Sequence, residues 1–190
     1  KYNPYSVINH IKMKKILYQK ITEEFYEDGF TIIRGLFSEK EVNFIKKSID
    51  TFVSKESPKL KVRDINTINN KINSLHALKN SKELMSFANK KKIIKIGSYL
   101  LNEDCYVNAI ELFAKPAKIG LKSPVHQDNA YWCLTKPKGL TMWIALTAAN
   151  KKNGGIFYYV GTNNLNNLSH VPSHIKGSSQ MIKPEIVKDL

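Results

Sequence analysis

The sequence predicts an α+β fold in which helices come first and an antiparallel sandwich or jelly roll follows. Three observations carry this expectation. Apolar residues recur at helical spacing up to about residue 100. From Tyr106 onward, strand-favouring runs separated by Gly, Pro and Asn turn signals take over. No internal repeat or change of composition marks a second domain. Helices followed by strands at short spacing place a helical layer against a sheet. A chain of 190 residues, 42% hydrophobic and 10% aromatic, suits a single domain over residues 1–190 with a sizeable core.

Leu17, Ile21 and Phe25 recur every four residues, which predicts a helix over 12–28 stopped by Gly29. A short strand, Phe30 to Arg34, follows. Ser38-Glu39-Lys40-Glu41 is a capping box, and Val42, Ile45, Ile49 and Phe52 continue a helical stripe ending near Ser54. Residues 55–74 are rich in Lys and Asn, contain Pro58 and read as a surface excursion. Leu84, Phe87 and Ala88, then Ile93, Ile96 and Leu100, give one long helix or two short ones. Strands are predicted over Tyr106–Phe113, Tyr131–Leu134, Leu140–Ala148 and Ile156–Val160. Turns at Lys115-Pro116, Lys136-Pro137-Lys138-Gly139 and Lys152-Asn153-Gly154-Gly155 separate them.

Composition narrows the function. No run of about 18 apolar residues occurs, and the Lys-rich N-terminus has no apolar core followed by a cleavage site. The expectation is a soluble cytoplasmic protein with no membrane partner. Cys105 and Cys133 have neither the number nor the spacing of a disulfide framework or zinc knuckle, and read as small buried side chains. The formal charge of +14 invites a nucleic-acid reading. Yet of the 30 basic residues only Arg34 and Arg63 are arginine, whose planar fork is the favoured phosphate and base reader. The lysines are dispersed, apart from short runs such as Lys90-Lys91-Lys92. That pattern reads as a solvated surface rather than a nucleic-acid interface.

The candidate chemistry lies in Pro124-Val125-His126-Gln127-Asp128. Iron(II) oxygenases hold the metal on one face with two imidazoles and one carboxylate, leaving the other face open. In an extended run, residues i and i+2 point to the same side, so His126 and Asp128 can both reach one ion while Gln127 points away. A bare His-x-Asp is weak on its own, and its context has to carry the assignment.

That context resembles the phytanoyl-CoA dioxygenase family of iron(II)/2-oxoglutarate oxygenases along nearly the whole chain. FYEDGFTIIRGLFSEKEV is similar to the family's N-terminal signature, and INSLHALKNSKELMSFA to a middle segment. ELFAKP followed by PVHQD resembles the approach to the metal, and WIALTAANKKNGGIFYYVGTN the strand, Asn-Gly turn and strand beyond it. The resemblance implies a double-stranded β-helix (jelly roll, cupin-like) with N-terminal helices packed on one sheet. It implies that Fe(II), 2-oxoglutarate and dioxygen hydroxylate an unactivated C–H bond of a small-molecule or acyl substrate. His126 and Asp128 match the first metal histidine and the metal carboxylate. Gln127 matches a residue common between them, and Trp143 an aromatic beside the 2-oxoglutarate pocket, although burial in the core would equally account for a Trp there. Lys71 and Lys115 sit near positions that can face the cosubstrate, but both read as surface lysines.

The chain also departs from the family pattern. No downstream His-Gly-Ser-like segment supplies a second metal histidine, and no arginine follows Arg63 to pair with the cosubstrate's distal carboxylate. Asn163 stands where a non-ligand histidine is common. His170 and His174 remain as candidates for the third ligand, both in a polar stretch. The expectation is that the closing C-terminal strands are missing from this sequence. Two readings in other classes stay open: a catalytically inactive relative acting in binding or as a scaffold, and a basic nucleic-acid-binding module on the same fold.

Overall fold

A computed structural model describes residues 17–135 and 138–190. The fold is α+β. The first helix, α1, runs over residues 17–28 within the described part; the portion expected at 12–16 lies outside it, as do Lys136-Pro137 of one predicted turn. Gly29 stops the helix at φ 85°, and a Cβ there would stand 2.9 Å from the Asn163 side chain. Only glycine satisfies both the left-handed backbone and that approach.

Helix α2 (Glu39–Glu56) starts at the expected capping box. The Ser38 hydroxyl accepts from the Glu41 amide at 3.3 Å, and the Glu41 carboxylate accepts from the Ser38 amide at 3.0 Å. The same carboxylate receives Lys92 at 2.9 Å and Lys90 at 3.1 Å. These contacts tie the start of α2 to the segment Lys90–Lys92 and, led by Lys92, pull the Glu41 carboxyl down to about 2. The region from 84 to 100 resolves into two helices, α3 (Lys82–Ala88) and α4 (Lys91–Leu101). α3 is capped by the Ser81 hydroxyl, which accepts from the Leu84 amide.

Residues 55–74 correct the expectation of an irregular excursion. They hold a hairpin, β1 (Ile65–Ile68) and β2 (Lys71–Leu75), joined by Asn69-Asn70 with both φ values positive, 48° and 58°. Two left-handed residues in a two-residue loop match the right-handed twist of the strands, and asparagine tolerates that conformation. β2 also pairs antiparallel with β3 (Leu112–Phe113), giving the order β1-β2-β3. The inner face of β2 supplies Leu75, wholly buried, which packs with Ile45, Ile49 and Phe52 of α2 and with Leu84 and Phe87 of α3. Ile21, Ile96 and Leu100 form a second cluster between α1 and α4.

The strand expectations beyond residue 100 fare differently. Of Tyr106–Phe113, only Leu112–Phe113 is paired. Tyr131–Leu134 is not a strand: a helical turn, α5 (Asn129–Trp132), takes its place and ends at Cys133 with φ 54°. The Asn129 side chain closes this turn, accepting from the Leu134 amide at 3.1 Å and donating to the Leu134 carbonyl at 3.2 Å. Local side-chain bonding thus outweighs the strand preference of Tyr and Trp. Cys133 is exposed and Cys105 partly buried, so neither is the fully buried side chain expected.

Residues 140–147 alternate strictly between partly buried and exposed positions, as an extended run does, but form no ladder. Met142, Ile144 and Leu146 face the core, leaving Thr141 and Trp143 outward. Residues 156–160 are all exposed and unpaired. The predicted strand at Phe30–Arg34 is likewise unpaired. It lies beside this run through one backbone bond, Gly161 amide to Asp28 carbonyl at 2.9 Å, and the Phe30–Tyr158 stack at 5.2 Å. One bond is too few to make a ladder. A final ribbon, β4 (His170–Pro172) and β5 (Gln180–Ile182), precedes the short helix α6 (Pro184–Lys188). Among the described residues, no helix is long and apolar enough to cross a membrane.

Candidate metal centre

The loop 124–128 enters the site without a ladder and turns helical at Asp128 (φ −58°, ψ −30°), which opens α5. Its backbone is held by the ribbon: the Ile182 amide donates to the Val125 carbonyl at 2.8 Å. His126 and Asp128 converge, with Nε2 and Oδ1 3.5 Å apart. His126 Nδ1 lies 2.8 Å from the Pro124 carbonyl oxygen. A carbonyl can only accept, so Nδ1 carries a proton; Nε2 donates to Asp128 when the imidazole is charged and has its lone pair free for a metal when it is neutral. The Tyr131 ring stands edge-on to the imidazole at 5.4 Å. Thr141, on the outward face of the 140–147 run, donates its hydroxyl to Asp128 Oδ2 at 2.7 Å. One carboxylate oxygen is thereby fixed and the other left toward His126.

The electrostatics follow from this pairing. The hydrogen bond with Asp128 holds His126 above the ordinary imidazole value, against partial burial and with help from the Pro124 carbonyl. His126 in turn holds the Asp128 carboxyl below its ordinary value, against burial and aided by Thr141. Partial desolvation of its half-exposed side chain, followed by the Asp128 charge, raises the Tyr158 phenol.

This donor set fits part of a metal centre. Two donors at about 2.1 Å and a right angle around one ion stand about 3 Å apart. The 3.5 Å separation of Nε2 and Oδ1 needs only a small adjustment to reach that spacing. A backbone carbonyl that fixes the far ring nitrogen is the usual support for a ligating histidine.

The other sequence-selected residues are placed as follows. Trp143 is 40% exposed on the Thr141 side of its run and so stands out of the core. Gln127 points away from the pair. Its Nε2 donates to the Asn166 carbonyl at 3.2 Å, and its Oε1 accepts from the Leu168 amide at 2.8 Å. His170 lies behind the loop, where Nε2 accepts from the Gln127 amide at 3.1 Å and Nδ1 donates to the Leu168 carbonyl at 2.8 Å. With both nitrogens engaged, its ring is committed to the backbone. His174 is exposed. Among the described residues, no three His, Cys, Asp or Glu side chains gather where they could hold one metal ion.

Thr141 and Tyr158 were not singled out from the sequence. Thr141 sits two residues before Trp143, and period-two alternation puts both on one face, which is the signal that could have found it. A cleft of about 380 Å³ behind the loop is lined by Gln127, Asn129, Cys133, His170 and Gln180. A larger one of about 790 Å³, lined by Thr22, Tyr26, Lys95, Ser98 and Tyr99, lies against α1 and α4 and shares no residue with the pair.

Residues 25–184 match the family model described as Phytanoyl-CoA dioxygenase (PhyH), and the chain belongs to that family. A similar solved structure is the crystal structure of EctD from S. alaskensis with 2-oxoglutarate and 5-hydroxyectoine, at 23% identity and a TM-score of 0.53. The similarity covers 60% of this chain and 41% of that one, so the chain corresponds to less than half of that protein's length. At this identity the likeness speaks for the fold alone. No curated protein matches the chain.

Proposed function

We propose that the chain is, or is part of, an Fe(II)/2-oxoglutarate-dependent oxygenase built on a double-stranded β-helix. Its substrate would be a small molecule or acyl compound hydroxylated at a C–H bond. The observation that carries this reading is the His126–Asp128 pair, with Nδ1–H pinned on a backbone carbonyl and Nε2 turned to a carboxylate oxygen that Thr141 leaves open. His126 and Asp128 would hold the iron, an ion suited to imidazole and carboxylate donors. Bound there with 2-oxoglutarate and dioxygen, the metal supplies the oxidising chemistry, consuming 2-oxoglutarate to succinate and carbon dioxide as oxygen is inserted into the substrate.

The residues of this chain do the rest. The Pro124 carbonyl keeps the His126 proton on Nδ1. The Thr141 hydroxyl keeps Asp128 Oδ2 from turning away. Trp143, on the outward face that also carries Thr141, would offer the cosubstrate an aromatic flank. Gln127 serves the pair from behind.

Anaerobic calorimetry of Fe(II), with and without 2-oxoglutarate, tests the reading on the wild-type chain and on His126→Ala. Binding by the wild type and its loss in the variant is expected. Equal heats in both would remove His126 from the site.

A second reading rests on a specific observation: two donors, not three, come together among the described residues. In that reading the family fold serves a binding or scaffolding role without catalysis. It requires that the wild type take up no Fe(II) at any accessible concentration.

A further inference from the structure

The loop 124–128 has a second face, which points away from the His126–Asp128 pair. His170 is spent on no ligand, yet it is oriented at both nitrogens. Its Nδ1–H donates to Leu168 O at 2.8 Å, which fixes the tautomer and leaves Nε2 as an acceptor. That acceptor takes the amide of Gln127, the residue between the two proposed ligands, at 3.1 Å. The Gln127 side chain grips the same strap twice more, through the Asn166 carbonyl and the Leu168 amide. A fourth bond, Ile182 amide to Val125 carbonyl, fixes the residue before His126. Two further contacts hold α5, immediately after Asp128. Gln180 Nε2 donates to the Ala130 carbonyl at 3.2 Å, and the Tyr131 hydroxyl donates to the Gln180 carbonyl at 3.2 Å.

We infer that residues 166–182 form a clasp in which His170 and Gln127 are positioning residues, setting the orientation of His126 and Asp128 from behind rather than binding the metal. The geometry explains why so polar a segment keeps a defined path. The loop 124–128 has no strand partner of its own to align it, and its peptide planes are oriented by these bonds instead. Rotation of the peptide preceding Gln127 would swing the His126 ring off the Pro124 carbonyl and away from Asp128. A hydrogen bond to that peptide therefore acts directly on the Nε2–Oδ1 separation. Groups that orient metal ligands in this way typically change metal affinity 10- to 100-fold. The inference rests on the metal-centre reading above, and the test separates the two.

The first measurement is Co(II) titration of the wild type, His170→Ala, His170→Gln, Gln127→Leu and His126→Ala. It is followed by the visible absorption of the bound ion and accompanied by thermal melts. His170→Ala and Gln127→Leu should weaken Co(II) binding about tenfold and alter the band shape. His170→Gln, whose side-chain oxygen can take the place of Nε2, should restore both. A purely structural role would lower the melting temperature without this rescue of the spectrum. Wild-type affinity and spectrum in His170→Ala would overturn the clasp. So would loss of binding in both His170 variants, which would make His170 a ligand.

The second measurement needs no metal. Amide exchange of Gln127 and the imidazole nitrogen shifts of His126 are followed by NMR in the same proteins. The Gln127 amide should be protected in the wild type, fast in His170→Ala and slow again in His170→Gln, with the His126 shifts moving in step. Unchanged exchange and shifts in His170→Ala would overturn the clasp even if the metal assignment stood. If the wild type binds no Co(II), or His126→Ala binds as the wild type does, the metal-centre reading fails. The clasp is then decided by the NMR result.

Discussion

The part of the chain between Glu39 and Leu101 and the part between Asp104 and Ile182 are held together by different kinds of interaction. In the first, regular helices and a hairpin bury Leu75, Leu78, Leu84 and Phe87 almost completely around one core. In the second, the candidate site lies among long extended runs that form little ladder, and Phe157 and Val160 remain 63% and 66% exposed. Order in the first region comes from apolar burial, which is insensitive to direction. In the second, where Met142, Ile144 and Leu146 lean on that same core, the candidate site itself is ordered by individual hydrogen bonds: Thr141 to Asp128, His170 to the Gln127 amide, Ile182 to Val125. A site that must aim two side chains at one point needs directional contacts, whereas a scaffold needs buried area.

Substitutions can test this contrast. Phe87→Ala removes a ring 4% exposed that meets both Phe37 and Phe44. It should cost about 3–5 kcal/mol in urea unfolding, and a cost below about 1 kcal/mol would mean that the helical layer is not the stabilising part. Next in size is Asn69→Val in the β1–β2 turn. A β-branched residue forced to φ 48° should cost about 1–2 kcal/mol without changing the cooperativity of unfolding.

A smaller effect is expected at the edge of the three-stranded sheet, where His76 Nδ1 lies 3.2 Å from Glu111. The hydrogen bond with Glu111 raises His76 above the ordinary imidazole value, outweighing burial. A raised folded-state value means that the pair's contribution is fully present below the unfolded value of about 6.5. It is lost as pH climbs through the higher folded value. Both partners are substantially exposed, so the contribution should stay under about 1 kcal/mol. Urea midpoints of the wild type and Glu111→Gln should differ at pH 6 and converge by pH 9. A gap that persists at pH 9 would show that it does not come from His76 charge.

Phe157→Ser should change stability least, within about 0.5 kcal/mol, despite removing an aromatic ring. A loss near that of Phe87→Ala would erase the distinction between the two regions.

The legibility of the chain in its sequence divides along the same line. The Ser38 capping box, the apolar stripes of α2 to α4 and the stop at Gly29 are local signals, set by residues three or four apart, and all appear where expected. The hairpin at Asn69-Asn70 was missed because alternating Ile and Asn reads as a polar tract until two left-handed asparagines turn it. Tyr131–Leu134 was misread because strand propensity measures fit to a neighbouring strand. Here the neighbour is Asn129, which closes a helical turn.

By itself the sequence determined the helical layer, the α+β class and the family, because these rest on periodicities and short motifs that survive without knowledge of distant contacts. It also pointed to His126 and Asp128 by type and spacing. Only the tertiary structure decided what surrounds them. Thr141 on Asp128, the commitment of His170 to the Gln127 amide and the hold of Ile182 on Val125 join residues 13, 43 and 57 positions apart. Such pairings follow from how the chain closes on itself, and no local spacing encodes that closure.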